Sequence, residues 1–136
     1  GSFSHAFYLA SPRIAASRPG RFDEALYRAF KAFYVDPLET VIDRFATVAA
    51  HDAVFVYVSS VYVEDTPAGF EEYANAKREG EAAAEMFCRS HGIRYRRWRP
   101  PQLLTDQTAG YLDSDAPNTG QIVADFLRRL MEIESR

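Results

Sequence analysis

The sequence has few of the residues that support metal, thiol or phosphate chemistry. Cys88 is the only cysteine among 136 residues, which excludes an intramolecular disulfide and favours a reducing, cytoplasmic setting. No metal site and no thiol catalysis are predicted, because His5, His51 and His91 lack metal-ligand spacing and Cys88 lies within a predicted helix. None of the seven glycines forms a Gly-x-Gly pair, so a glycine-rich phosphate-binding turn is missing.

The sequence also lacks a large excess of either charge and any long apolar run. A net charge of −3 gives no electrostatic footprint for nucleic acid, and the apolar runs are too short to cross a bilayer. No charged segment followed by an apolar segment marks a secretory signal. A composition of 47% apolar and 26% charged residues predicts one soluble domain, residues 1–136.

The start of the chain has two unusual features. Gly1 and Ser2 are typical of a cloning remnant, and Phe3 begins strand-like sequence without an initiator methionine. We therefore expect a piece excised from a larger multidomain protein.

Apolar patterns predict alternating strands and helices. The three predicted strands are His5–Ala10, Ala53–Ser60 and Ile93–Arg99. Helical periodicity covers Phe22–Ala49, with a kink or break at Pro37, and then Glu72–Ser90 and Gln121–Ile133. This order predicts an α/β layer structure with right-handed parallel crossovers and a small sheet of about three parallel strands flanked by helices.

Arginines are concentrated in the third predicted strand. They are Arg94, Arg96, Arg97 and Arg99. Because an unpaired buried charge is costly, this strand is expected to be partly exposed or its arginines paired. The alternative is a contact between the guanidinium groups and a phosphate or a carrier protein.

Ser60, Tyr73 and Lys77 are the best candidates for chemistry. Tyr73 and Lys77 are four positions apart and share one helix face, where an ammonium close to a phenol would lower the phenol's pKa. Tyr73 could then transfer a proton. Ser60 ends the second predicted strand, at the sheet edge where parallel sheets bind ligands, and its hydroxyl could hold a carbonyl oxygen.

These residues resemble the short-chain dehydrogenase/reductase superfamily, in which a serine lies thirteen positions before the tyrosine of a Tyr-x-x-x-Lys motif. Ser60 and Tyr73 have that separation. Leu9-Ala10-Ser11 resembles the end of the family's fourth strand, and Pro100 with Thr105-Asp106 resembles its Pro-Gly-(x)3-Thr-Asp segment. The chain would correspond to the C-terminal half of such a protein, and the resemblance implies that its α/β fold is a truncated Rossmann-like three-layer sandwich.

The resemblance implies roles for these residues and a cofactor. Ser60, Tyr73 and Lys77 would be catalytic, and the cofactor would be NAD or NADP. Lys77 would also hold the nicotinamide ribose, Pro100 and Thr105 would line the cofactor, and residues 107–118 would border the substrate. For the isolated chain no cofactor is expected, because the glycine-rich N-terminal half is missing.

Two further departures from the family pattern concern polar groups. The glycine expected after Pro100 is Pro101, which has no backbone donor. The family's asparagine in the helix before the serine strand falls near Phe33 or Tyr34, which lack its polar role.

The missing half also predicts partners. In the doubly wound strand order, strand His5–Ala10 loses its neighbour, so we expect it to pair with another chain or be covered by a neighbouring domain. The resemblance implies a homodimer through the two long helices, with Tyr27, Phe30, Phe33 and Tyr34 in the core or at a helix interface.

Two functions remain open at this point. The first is a non-catalytic structural or dimerisation module, within a multienzyme of the polyketide or fatty-acid synthase type, with an acyl carrier protein as a further partner. The alternative is the catalytic half of an NAD(P)-dependent carbonyl (ketoacyl) reductase that uses Ser60, Tyr73 and Lys77.

Overall fold

A computed structural model describes residues 1–101 and 118–134. Thr105, Asp106 and residues 107–117 therefore lie outside the described part of the chain. The chain forms two compact units, Gly1–Arg99 and Pro100–Arg136. The first unit contains every strand among the described residues, and the second contains one described helix.

The described elements alternate as the sequence predicts. In chain order they are β1 (Phe3–Tyr8), α1 (Glu24–Tyr34), α2 (Leu38–Ala46), β2 (Ala49–Val58), α3 (Glu71–Ser90), β3 (Arg94–Trp98) and α4 (Thr119–Glu134). The predicted fold class is confirmed, since the chain is α/β with a three-stranded parallel sheet flanked by helices, a truncated Rossmann-like fold. Within the described residues, no helix has the length and apolar character needed to span a membrane.

The sheet has β2 at its centre. Phe55 of β2 pairs with Ala6 of β1 and with Tyr95 of β3, all in parallel. One face of the sheet packs against α2 and α3 in a core that contains Tyr8, Leu38, Ile42, Phe45, Ala53, Phe55, Tyr57, Ala84, Cys88 and Ile93. Parallel pairing places the carboxyl ends of β1 and β2 at the same end of the sheet, where Ser60 follows β2.

Element boundaries differ from the predicted ones for identifiable reasons. The break predicted at Pro37 is present, and the helical pattern over residues 22–49 forms two helices, with Asp23 capping α1 and Pro37 at the N-cap of α2. Strand β2 begins at Ala49 rather than Ala53, since Ala49 pairs with Phe3 although the intervening His51 and Asp52 are polar.

A close approach of α3 to the sheet depends on Gly80. The Tyr57 hydroxyl donates to the backbone oxygen of Tyr34 at 3.0 Å, directly beside this glycine. A Cβ at position 80 would lie 2.5 Å from that oxygen and closer still to the Tyr57 hydroxyl. Glycine is therefore the residue that fits here.

The loop between β1 and α1 is fastened to the start of α3 by Glu72. This carboxylate is fully buried and accepts hydrogen bonds from the Ser17 hydroxyl at 2.9 Å and from the backbone N–H of Asp23 at 2.5 Å. The Ser17 N–H also donates to the backbone oxygen of Gly69 at 2.8 Å. These contacts fix the first turn of α3, which carries the neighbouring Tyr73.

Candidate active site

Ser60 lies just beyond the carboxyl end of β2. Its backbone is extended, and its side-chain oxygen accepts a hydrogen bond from the Tyr62 N–H at 3.2 Å. This bond caps a short 3-10 turn, Val61–Val63, and holds the side chain in a mostly buried position. Ser60 is thus placed at the sheet edge that the sequence predicted.

Tyr73 lies in the first turn of α3 and is only 6% exposed. Its ring is packed edge-on against Phe30, Tyr34 and Tyr62, with centroid distances of 5.6, 5.7 and 6.0 Å. Burial raises the pKa of the Tyr73 phenol, and a hydrogen bond with Ser60 offsets part of that rise. The structure therefore places Ser60 beside Tyr73.

Lys77 comes one turn later on α3 and is also 6% exposed. Its Nζ donates to the backbone oxygen of Val58 at 2.9 Å and lies 3.9 Å from the centre of the Tyr34 ring. The Tyr73 ring centre is 6.0 Å away. Burial lowers the pKa of Lys77 to about 7, although the nearby Glu81 carboxylate opposes the effect.

The predicted trio is brought together, but the predicted electrostatics are wrong. The sequence predicted that Lys77 would lower the pKa of Tyr73, whereas burial raises it. The physical reason is that the Lys77 ammonium is turned towards Val58 and Tyr34 and is itself partly neutral near pH 7. In this geometry the phenolate has little stabilisation at neutral pH.

Two functional contacts were not anticipated from the sequence. Tyr34 was interpreted as a core or interface residue, and it is fully buried, but its contact with Lys77 was missed. Its hydroxyl is also hydrogen-bonded to that of Ser11 at 2.7 Å. The sequence signal that could have indicated this contact is the position of Tyr34, which is close to the place where the resemblance expects an asparagine.

Glu81 was likewise missed, and it is the partner of the arginines at the end of β3. Arg99 donates two hydrogen bonds, of 2.8 and 2.6 Å, to this buried carboxylate. It also forms a salt bridge of 2.6 Å with Glu64. Arg97 lies 3.7 Å from the same carboxylate. Burial opposes the ionisation of Glu81 most strongly, but the hydrogen bonds from Arg99 and Ser59 and the charges of Arg99 and Arg97 together lower the pKa of Glu81.

The expectation that the arginines of the third strand are exposed or paired is confirmed. Arg94 is exposed and donates twice to the backbone oxygen of Asp52, at 3.0 and 2.7 Å. Arg96 is half-buried and donates to the backbone oxygen of Tyr95 at 3.1 Å. These protein partners explain the arginines without a bound phosphate.

The structure describes only part of the predicted cofactor-binding set. Lys77, expected to hold the ribose, directs its ammonium at a protein carbonyl and an aromatic ring. Pro101 offers no N–H to a ligand, and Thr105 lies outside the described residues. Pro100 belongs to the second unit, so neither proline is placed relative to the trio.

Comparisons with known proteins give structural likeness only. No protein-family model matches the sequence, and no curated protein is significantly similar to it. Among solved structures, FolM alternative dihydrofolate reductase 1 from Brucella canis, complexed with NADP, is 17% identical with a TM-score of 0.71, over 100% of this chain and 59% of that one.

Two further solved structures have the same fold. A short-chain type dehydrogenase/reductase from Mycobacterium ulcerans is 19% identical with a TM-score of 0.69, over 81% of this chain and 42% of that one. The angucycline C-6 ketoreductase LanV, with bound NADP, is 18% identical with a TM-score of 0.61, over 73% of this chain and 39% of that one. The chain therefore has the fold of short-chain dehydrogenase/reductase-type reductases and spans less than two thirds of the length of these solved relatives.

Proposed function

We propose that this chain is a short-chain dehydrogenase/reductase-like module that is not catalytic by itself and serves a structural and dimerising role. The inward direction of Lys77 carries this proposal. With its ammonium on Val58 and Tyr34, Lys77 does not lower the pKa of Tyr73, and one of its donors is already taken by a protein carbonyl. The raised pKa of Tyr73 makes the phenol a poor proton donor near pH 7.

A polyketide or fatty-acid synthase type multienzyme is the setting that we propose for the module. Support comes from the likeness to LanV, an angucycline ketoreductase, of which the chain covers 39%. An acyl carrier protein is the additional partner that such a setting would provide. This placement rests on analogy of fold.

The face formed by α1 and α3 is the proposed contact with a second copy of the chain. A surface groove of about 470 Å³ runs along it, lined by Phe22, Tyr27, Asn75, Arg78, Glu79 and Ala82. Phe22 is exposed and packs against the ring of Tyr27 with centroids 5.4 Å apart. An exposed phenylalanine packed on a half-buried tyrosine, beside a small alanine, suits burial in a helix-to-helix interface.

The dimer proposal predicts the effect of one charged side chain in the groove. Ala82→Arg should place a guanidinium in the interface and convert a dimer into a monomer, because burying an unpaired charge is costly. Glu85→Arg, on an exposed turn of the same helix outside the groove lining, should remain dimeric. Sedimentation velocity over a range of concentrations measures both, and a wild-type chain that is monomeric throughout would contradict the proposal.

The outer edge of β1 is the proposed contact with a neighbouring domain. Among the described strands, β1 pairs only with β2 and so lies at the edge of the sheet. Phe3 and Phe7 in the strand, and Leu9 just after it, have exposed side chains. Apolar edge strands promote association unless they are covered, which supports a larger parent protein as the source of the cover.

A carbonyl reductase half is the second candidate, and the clustering of Ser60, Tyr73 and Lys77 favours it. In that function Ser60 would hold the carbonyl oxygen, Tyr73 would give it a proton, and Lys77 would lower the pKa of Tyr73. Lys77 would first have to leave Val58, and a nucleotide-binding portion would have to be supplied. Once that portion is present, binding of a reduced nicotinamide dinucleotide and carbonyl reduction are expected for this second candidate only.

A further inference from the structure

The Tyr34 side chain, at the end of α1, is held by contacts on several sides. Its hydroxyl is 2.7 Å from that of Ser11, its ring stacks on Phe30 at a centroid distance of 6.0 Å, and it meets Tyr73 edge-on at 5.7 Å. These contacts approach the ring from α1, from the loop after β1 and from α3. The ring plane is therefore fixed independently of Lys77.

Lys77 presents its ammonium to the face of this fixed ring. The distance of 3.9 Å from Nζ to the centre of the Tyr34 ring is well inside the range of cation–π attraction, while Tyr57 is at 5.5 Å. Of the three donors of the ammonium, one is taken by the Val58 carbonyl. Glu81, the carboxylate that acts on Lys77, is already held by Arg99.

The groups that face Lys77 come from three elements. Tyr34 belongs to α1, Tyr57 and Val58 belong to β2, and Tyr73 and Glu81 belong to α3. Only the Glu81 carboxylate among them carries charge near pH 7. After the Val58 carbonyl at 2.9 Å, the Tyr34 ring at 3.9 Å is accordingly the closest of these groups that can offset part of the cost of burying the ammonium.

We infer that Tyr34 is a positioning residue that holds the Lys77 ammonium inside the protein, against the Val58 carbonyl, with Ser11 fixing the tyrosine ring. The inference deepens the proposed function because it names the contact that keeps Lys77 from supporting Tyr73. It concerns a single lysine, so it can be tested without any measurement of dimerisation or of turnover.

The test uses the fact that Lys31 and Lys77 are the only lysines in the sequence. In protein labelled with ¹³C at the lysine ε-carbon, Lys77→Met assigns the two signals. Lys31, paired with Glu79 at 2.7 Å, serves as the internal control, because its hydrogen bond with Glu79 raises its pKa. The variants are Tyr34→Phe, which keeps the ring, and Tyr34→Leu, which removes it.

We expect the Lys77 signal to titrate near pH 7 in the wild type and in Tyr34→Phe. In Tyr34→Leu the midpoint should fall by about one pH unit, a tenfold change, because an apolar side chain fills the space without stabilising the cation. Lys31 should not change. An unchanged or higher Lys77 midpoint in Tyr34→Leu would overturn the inference.

A second measurement needs no substitution and covers the case in which Tyr34→Leu does not fold. The ε-protons of Lys77 should be shifted upfield by the ring current of Tyr34, relative to those of Lys31, whose Nζ is 5.7 Å from the Tyr27 ring. They should also give nuclear Overhauser effects to the ring protons of Tyr34. Lysine signals with the same ordinary shift and no such effects would contradict the placement.

Discussion

Gly80→Ala is expected to lower the free energy of unfolding by about 3 kcal/mol, the upper end of ordinary overpacking in a core. The added methyl group would lie 2.5 Å from the backbone oxygen of Tyr34 and even nearer the Tyr57 hydroxyl. Both atoms are buried and hydrogen-bonded to each other, so neither can move without cost. The helix α3 would be pushed away from β2 and from the end of α1.

The sign of this effect is what makes the experiment informative. In an unconstrained helix interior, glycine to alanine stabilises by about 1 kcal/mol, so helix propensity alone predicts the opposite outcome. Urea denaturation of the wild type and of Gly80→Ala measures the difference. Met86→Ala, at an exposed position of the same helix, should change stability by no more than about 0.5 kcal/mol. A Gly80→Ala protein as stable as the wild type would contradict the close packing of α3.

Arg99→Leu is expected to destabilise the first unit by about 3 kcal/mol at neutral pH. Removing Arg99 leaves the buried Glu81 carboxylate without its two strongest hydrogen bonds, and breaking one side of a buried ion pair typically costs this much. Arg97→Leu is the matched control, because Arg97 is more exposed and 3.7 Å from the same carboxylate. Its effect should stay below about 1 kcal/mol.

The pH dependence of the Arg99→Leu effect has a definite sign. In the wild type the folded-state pKa of Glu81 is lowered, so its contribution to stability is present above the unfolded value near 4 and is lost as the pH falls through the folded pKa. Without Arg99, only Ser59 and Arg97 oppose the effect of burial, so the pKa of Glu81 should be higher in the folded variant than in the wild type and the folded variant should bind a proton more readily.

The difference in stability between the wild type and Arg99→Leu should therefore be largest at neutral pH and should shrink on acidification below about pH 5. Denaturation curves at several pH values measure it. A difference that stays constant from neutral to acidic pH would show that Arg99 acts through packing of its side chain and not through the charge of Glu81.

Much of the fold could be predicted because the relevant signals are local. The apolar run Ala53–Val58 marks the central strand, and Pro37 breaks the long helical pattern into α1 and α2. The spacing of Tyr73 and Lys77 on a helix, with Ser60 after a strand, was enough to predict that the three side chains lie close together. Each of these signals depends on neighbours within a few residues.

The direction of Lys77 and the pKa of Tyr73 could not be predicted, because they depend on contacts between distant segments. Tyr34 reaches Lys77 from another helix, and its ring is fixed by Ser11 from the loop after β1. Arg99 is eighteen positions beyond Glu81 and meets it only because α3 lies against the end of β3. No periodicity in the sequence reports such contacts.

A titration of the chain with NADPH tests most directly the proposal that the isolated chain is a non-catalytic module. We expect no saturable binding up to millimolar NADPH, no change in the ¹³C signal of Lys77 and no reduction of carbonyl compounds, because Lys77 is directed at Val58 and Tyr34. A full-length reductase of the same fold is the positive control. Saturable binding that shifts the Lys77 signal, together with carbonyl reduction that Tyr73→Phe abolishes, would contradict the proposal that the isolated chain is a non-catalytic module.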